Sequence, residues 1–201
     1  MNRPKFILVS LTAFFLSICS LSAAAQSEPE RPANEQSYEV SLHLILASND
    51  AQIKNEIPAN LSTVAGSLKN RFGYSSLRLV NTYFGRLAEA GSFEYKSVID
   101  NFTGDAGSRP PMFVDWSVRR VRSASGRTGS PTFSIEAFRF GARVPITITP
   151  DGKSALNYEM TGLNLDRLAV PSGEATPIGT LSMPGTNGTL FLVITISPTR
   201  N

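Results

Sequence analysis

Side chains that could perform catalysis or bind a metal are scarce in this sequence. The 201 residues include one histidine, His43, and one cysteine, Cys19. Zinc sites need several histidine or cysteine ligands, so we predict no metal site and no cofactor. A Ser-His-Asp triad would need His43 as its base, and the chain has no Gly-x-Ser-x-Gly turn. We therefore predict a non-enzymatic protein with no catalytic residue, in which His43 is a half-buried strand residue bonded to a neighbouring hydroxyl.

Carboxylates leave one enzymatic alternative open. A glycosidase needs two of them roughly 5–10 Å apart. No spacing selects such a pair, and solvated positions are expected, but a carboxylate hydrolase is kept as an alternative. The carboxylates concerned are Asp115, Glu136, Asp151, Glu159 and Asp166.

The densest charged feature is a group of arginines in one predicted hairpin. Arg119, Arg120 and Arg122 precede Arg127, and Trp116 lies just upstream. Arginines beside an aromatic ring can bind an anionic polymer. These five residues are the candidate ligand-binding site, with a glycan or another anionic molecule as the ligand. The same charges would also suit a solvated hairpin tip, or protect a sheet edge from pairing.

The elements that would position these residues begin with a mixed unit at 38–100. Tyr38–Leu46 alternates as a strand does. Leu61, Val64, Leu68 and Phe72 then form one stripe of a helix. Gly73 suits the left-handed position after the helix, and close packing on a sheet would explain Gly66 within it. Two further alternating runs predict strands, which gives the order β-α-β-β.

The remainder, 112–198, is predicted to be an antiparallel β-sheet or sandwich module. Met112, Val114, Trp116 and Val118 share one strand face. Leu190–Ile194 is apolar on both faces, which predicts an interior strand paired with Ile178–Met183. The fold class is therefore α+β and mostly β. Residues 38–198 form either two domains or one compact domain.

The N-terminus predicts export. A short basic start, an apolar run at 6–19 and an Ala-x-Ala pattern ending at Ala25 are typical of a signal peptide at 1–25. Residues 26–37 read as a flexible linker. The alternative is a lipoprotein anchored at Cys19. The apolar run is too short for an ordinary membrane span, so we predict a periplasmic or extracellular protein that is not an integral membrane protein.

The basic charge of the chain belongs partly to this leader. The chain has 19 basic and 16 acidic residues. Removal of Arg3 and Lys5 with the leader would leave 17 basic residues and a net charge of +1. A nearly neutral chain gives no general attraction to a polyanion, so we predict no nucleic-acid partner.

Two stretches resemble parts of bacterial secretins, the outer-membrane rings of secretion and pilus systems. Val170–Thr180 is similar to the secretin pattern of a polar-glycine turn followed by an apolar-glycine pair. Leu190–Pro198 resembles the apolar strand that ends the secretin core, although Ile196 and Ser197 interrupt its Thr-Pro ending. The β-α-β-β order is similar to that of their ring-building domains. The resemblance covers about thirty residues and transfers no functional residue.

These observations lead to one functional prediction. The chain is expected to be a non-catalytic, exported bacterial envelope protein that acts through protein–protein contacts, secretin-like or associated with secretion. Its envelope partner and its oligomeric state are not specified by the sequence. The alternatives are the anionic-ligand module at Arg119–Arg127 and the carboxylate hydrolase.

Overall fold

The computed structural model describes residues 36–50, 53–100, 102, 110–125, 131–184 and 188–199. The predicted signal peptide and nearly all of the predicted linker lie outside these ranges. Within them, strands predominate and a single α-helix is present, which confirms the mostly β, α+β class. The elements are β1 (Ser37–Ser48), α1 (Ser62–Phe72), β2 (Ser76–Ala88), β3 (Ser92–Ile99), β4 (Met112–Ser125), β5 (Pro131–Ile148), β6 (Ala155–Pro171), β7 (Thr176–Ser182) and β8 (Gly188–Pro198).

The strands form two antiparallel sheets of four strands each. The first sheet has the order β2-β1-β8-β7, and the second has the order β3-β4-β5-β6. The first and last strands within the described residues, β1 and β8, are therefore neighbours, with Leu42 opposite Ile194. The β-α-β-β order is present along the chain, but β3 pairs with β4 in the second sheet. The domain boundaries at 38–100 and 112–198 stay a prediction.

The main hydrophobic core lies between the two sheets. It combines side chains from β1 and β8 with the inner faces of β4 and β5, where Trp116, Phe138 and Ile135 are fully or almost fully buried. Because successive side chains of a strand point to opposite faces of the sheet, one face of each sheet supplies this core. The outer face of the second sheet is left toward solvent.

A smaller core lies under the helix, on the other face of the first sheet. Leu61, Val64 and Leu68 pack there with Phe191 and Val193 of β8. Since Leu192 and Ile194 of the same strand enter the main core, β8 is buried on both faces. It also pairs with β7 through Leu181 and Leu190, so the predicted interior strand is confirmed.

The helix ends as its sequence predicts. Gly73 follows it with a φ of 72°, and its N–H donates to the Lys69 carbonyl over 2.8 Å. Phe72 stays half exposed, although its ring contacts Phe191 at a centroid distance of 5.1 Å. A Cβ at Gly66 would have no neighbour within 4 Å, so the expectation that Gly66 permits close packing on the sheet is wrong. No helix in the described part of the chain is both long and apolar enough to span a membrane.

Candidate functional site

The structure separates the predicted ligand-binding residues into two groups. Arg119, Arg120 and Arg122 are exposed on β4, and Arg127 lies outside the described residues. Trp116 faces the main core and is 1% exposed. Its ring packs edge-to-face on Phe93 with a centroid distance of 4.8 Å. Trp116 is therefore a core residue, and it cannot stack on a ligand held by the arginines.

Of the candidate arginines that the structure describes, Arg120 has a defined ion-pair partner. One guanidinium nitrogen lies 2.9 Å from a carboxylate oxygen of Glu136 on β5, and both side chains are more than half exposed. Its backbone has a φ of 50°, which residues other than glycine adopt at a cost in free energy. Its N–H donates to the Gly91 carbonyl over 2.9 Å. Arg120 therefore stabilises the junction between β4, β5 and the β2–β3 turn.

The distortion at Arg120 continues across the second sheet. Val118 and Val121 are both buried, so two successive exposed arginines lie between them. On β6, Arg167 also has a positive φ of 57°. In three neighbouring strands, β4, β5 and β6, the alternation of inward and outward side chains therefore shifts by one residue at the same level of the sheet. This places Arg119, Arg120, Glu136, Asp166 and Arg167 together at the solvent side.

His43 lies where the sequence predicts a structural histidine. It is 6% exposed on β1, and its Nδ1 is 3.0 Å from the hydroxyl oxygen of Thr82 on β2. Burial lowers the pKa of the His43 imidazole, because desolvation disfavours the charged ring. The predicted contact with a neighbouring hydroxyl is confirmed.

Two of the five carboxylates that the hydrolase alternative would use have defined surroundings. Glu136 is engaged by Arg120, and Asp151 lies in the exposed turn after β5. Among the described residues, no group of three or more histidine, cysteine or acidic side chains is placed to bind a metal.

An apolar area at one end of the outer face of the second sheet was missed by sequence reasoning. Val98, Phe113, Arg143 and Met160 lie opposite one another in a single row across β3, β4, β5 and β6. Tyr158 and Leu156 continue the area along β6. We call these six residues the contact surface. Met160 is 70% exposed and Leu156 is 54% exposed.

One ring contact joins β4 to β6 across the contact surface. The rings of Phe113 on β4 and Tyr158 on β6 meet at a centroid distance of 5.6 Å. On its open side, β6 is the edge of the second sheet. The alternation of Leu156, Tyr158 and Met160 showed that they share a face. It could not show that this face is turned away from the core.

No protein-family model matches the sequence, and none of the curated proteins matches it. The solved structures that it resembles include secretins. The chain aligns over 96% of its length with the type IV competence pilus secretin PilQ of V. cholerae, at 9% identity and a TM-score of 0.37. With InvG, the secretin of the Salmonella SPI-1 type III secretion injectisome, it aligns over 96% at 12% identity and a TM-score of 0.32. It covers 66% of each of those chains.

A third similar structure comes from the Klebsiella pneumoniae type II secretion system outer membrane complex of PulD, PulS and the PulC HR domain. That match covers 83% of this chain and 39% of the other, at 12% identity and a TM-score of 0.33. The predicted resemblance to secretins is confirmed by these matches, in which the superposition is loose and this chain spans 66% or less of its counterparts.

Proposed function

We propose that this chain is a non-catalytic, exported protein of the bacterial envelope that acts through protein–protein contacts at the contact surface. The observation that supports this is the row of exposed apolar and aromatic side chains on the outer face of the second sheet. Contiguous apolar areas of this kind are typical of interaction sites on soluble proteins. Tyrosine, phenylalanine, methionine and arginine, four of the residue types in this surface, are also those enriched in protein interfaces.

The remaining part of the outer face of the second sheet is polar, and it bounds the contact surface. Toward the other end of the sheet, the outward positions are held by Ser117, Arg139 and Asn164 in one row. A partner that covers Met160 and Leu156 would remove well-exposed apolar area from water, at about 25 cal/mol per Å². The surface thus has an apolar centre and a polar side, as interfaces commonly do.

The site of action that we propose is the periplasm, and the process is secretion. Support for export comes from the leader pattern at 1–25, and support for secretion comes from the secretin-like stretches Val170–Thr180 and Leu190–Pro198. Mass spectrometry of the exported protein should find an N-terminus near Gln26. A lipid-modified Cys19 at the N-terminus would instead establish the lipoprotein alternative.

The contact proposal is tested by crosslinking intact cells and identifying the adducts in the envelope fraction. Leu156→Ser removes a 54% exposed apolar side chain from the contact surface. Phe84→Ser removes a 55% exposed one from the other sheet and is the matched control. We expect the adduct to be lost in Leu156→Ser and kept in Phe84→Ser. Equal adduct yields in both variants would contradict the role of this surface.

Anion binding is a second candidate, because Arg119 and Arg122 are exposed and have no ion pair with a described residue. Two such guanidinium groups could bind a sulfated or carboxylated glycan. The double variant Arg119→Ser/Arg122→Ser should then elute from heparin at lower salt than wild type. Arg86→Ser is the control, since Arg86 is paired with Glu39 at 2.6 Å. Coincident elution of all three proteins would exclude this candidate.

A further inference from the structure

A groove of about 460 Å³ opens on the outer face of the second sheet, beside the contact surface. Its lining includes Val98 and Phe113, two cationic side chains and two carboxylates. The charged residues are Lys96 and Arg143, with Glu94 and Asp115. The lining is therefore neutral in total, and it contains separate positive, negative and apolar parts. Its volume is in the range of small-molecule sites.

Two of the charged groups in the groove are unpaired. Lys96 lies opposite Asp115 in the β3–β4 register, but its ammonium is 3.1 Å from Glu94. Neither Asp115 nor Arg143 has an ion-pair or hydrogen-bond partner among the described residues. Asp115 is also partly buried. A ligand with one positive and one negative group could form charge-assisted hydrogen bonds with both the partly buried carboxylate and the guanidinium, which would lower the free energy of each group.

A glycine on the neighbouring strand leaves room for the carboxylate of Asp115. Gly141 on β5 lies opposite Asp115. Both carboxylate oxygens of Asp115 are 3.0 Å from the point where a Cβ would stand at Gly141. Any side chain at Gly141 would therefore crowd the carboxylate of Asp115 and displace it. Gly162, which follows Gly141 in the same row, extends this flat floor toward β6.

The strand positions of Asp115 and Arg143 guide the size of the ligand that we propose. Phe113 pairs with Arg143 and Asp115 with Gly141, so Asp115 and Arg143 are diagonal neighbours on adjacent strands. The backbones of such positions are about 7–8 Å apart. Two extended residues of peptide span about 7 Å, whereas one amino acid spans about half of that. A dipeptide is therefore long enough to extend from one of these strand positions to the other.

We propose that this groove binds short peptides with free ends, the ammonium on Asp115 and the carboxylate on Arg143. Val98 and Phe113 contact the apolar side chains of the peptide. This inference goes beyond the contact function and does not require it. The groove and the contact surface share Val98, Phe113 and Arg143, but Asp115 belongs to the groove alone and Leu156 to the contact surface alone.

The test is isothermal titration of the purified protein with leucyl-leucine, N-acetyl-leucyl-leucine, leucyl-leucinamide and free leucine. Only leucyl-leucine is expected to bind well. Each blocked peptide and free leucine should bind at least tenfold more weakly. Equal binding of all four probes, or no binding of leucyl-leucine, would overturn the proposal.

Two variants connect the probes to the residues. Asp115→Asn should weaken leucyl-leucine at least tenfold but leave the N-acetylated peptide unchanged, because the ammonium is already absent from that peptide. Arg143→Gln should weaken the binding of leucyl-leucine at least tenfold but leave the binding of leucyl-leucinamide unchanged, because that peptide already lacks the carboxylate. Asp166→Asn and Arg139→Gln, on the same outer face, are the controls. If the controls weaken binding as much as Asp115→Asn does, the effect is general electrostatics and the site is refuted. Leu156→Ser tests the contact function separately, and it should leave peptide binding intact.

Discussion

Truncation of Ile194 to alanine offers a direct measure of how far the structure depends on its last strand. Ile194 is fully buried in the main core, between Leu42 of β1 and Thr176 of β7. The substitution removes three carbons, or about 2.4 kcal/mol at roughly 0.8 kcal/mol for each. The cavity that remains adds to this loss, and measured values for such truncations are about 2–5 kcal/mol. We expect Ile194→Ala to lower the free energy of unfolding by about 3 kcal/mol.

The matched control is Ile148→Ala, at the end of β5, where the isoleucine is 38% exposed. Both substitutions carry the same difference in strand propensity, so that contribution cancels. Ile148→Ala should cost less than about 1 kcal/mol. Urea unfolding gives both values, provided the dependence on urea is unchanged between variants. Equal losses in the two variants would refute the reasoning, because Ile194 would then contribute no more through burial than a surface residue.

Three further predictions concern single positions in other parts of the fold. His43→Gln should reduce the pH dependence of stability below about pH 6.5. Burial lowers the pKa of His43 in the folded state, so the unfolded chain binds the proton first, and wild-type stability falls as the pH drops through that window. Thermal unfolding from pH 7.5 to 5 of both proteins measures the difference. Gly66→Ala should raise the free energy of unfolding by about 1 kcal/mol, since the added methyl has open space; a destabilised variant in urea unfolding would contradict this. Arg120→Gly should be more stable than Arg120→Val by about 1–2 kcal/mol, because both lose the Glu136 pair but only glycine tolerates a φ of 50° freely; equal urea midpoints would show that the left-handed conformation carries no strain.

Local patterns predicted the elements and the pairing of β7 with β8, but they did not predict how distant strands combine into two sheets. The apolar stripe of the helix, the left-handed Gly73 and the burial of β8 on both faces could be predicted from the sequence, because each depends on residues a few positions apart. The pairing of β3 with β4, and of β1 with β8, depends on which distant strand offers a better partner. A single sequence holds no direct record of that choice.

The separation of Trp116 from the arginines was partly readable. Positions an odd number apart lie on opposite faces of a regular strand, which already places Trp116 and Arg119 on different sides. Arg120 could not be assigned in this way, because the exchange of faces at Arg119–Arg120 breaks the alternation. The contact surface was missed for a related reason. Alternation identifies residues that share a face, but burial of that face is decided by the packing of whole sheets.

The adjacency of β1 and β8 has a consequence for how the molecule acquires its structure. The first strand of the fold gains its second neighbour only when the last one is in place, and Val40 and Ile196, which pair there, are separated by most of the chain. Closing so large a loop is entropically unfavourable and slows folding. Until residues 188–198 are in place, β1 has β2 as its one neighbour in the first sheet and β7 has none, so that sheet cannot be completed.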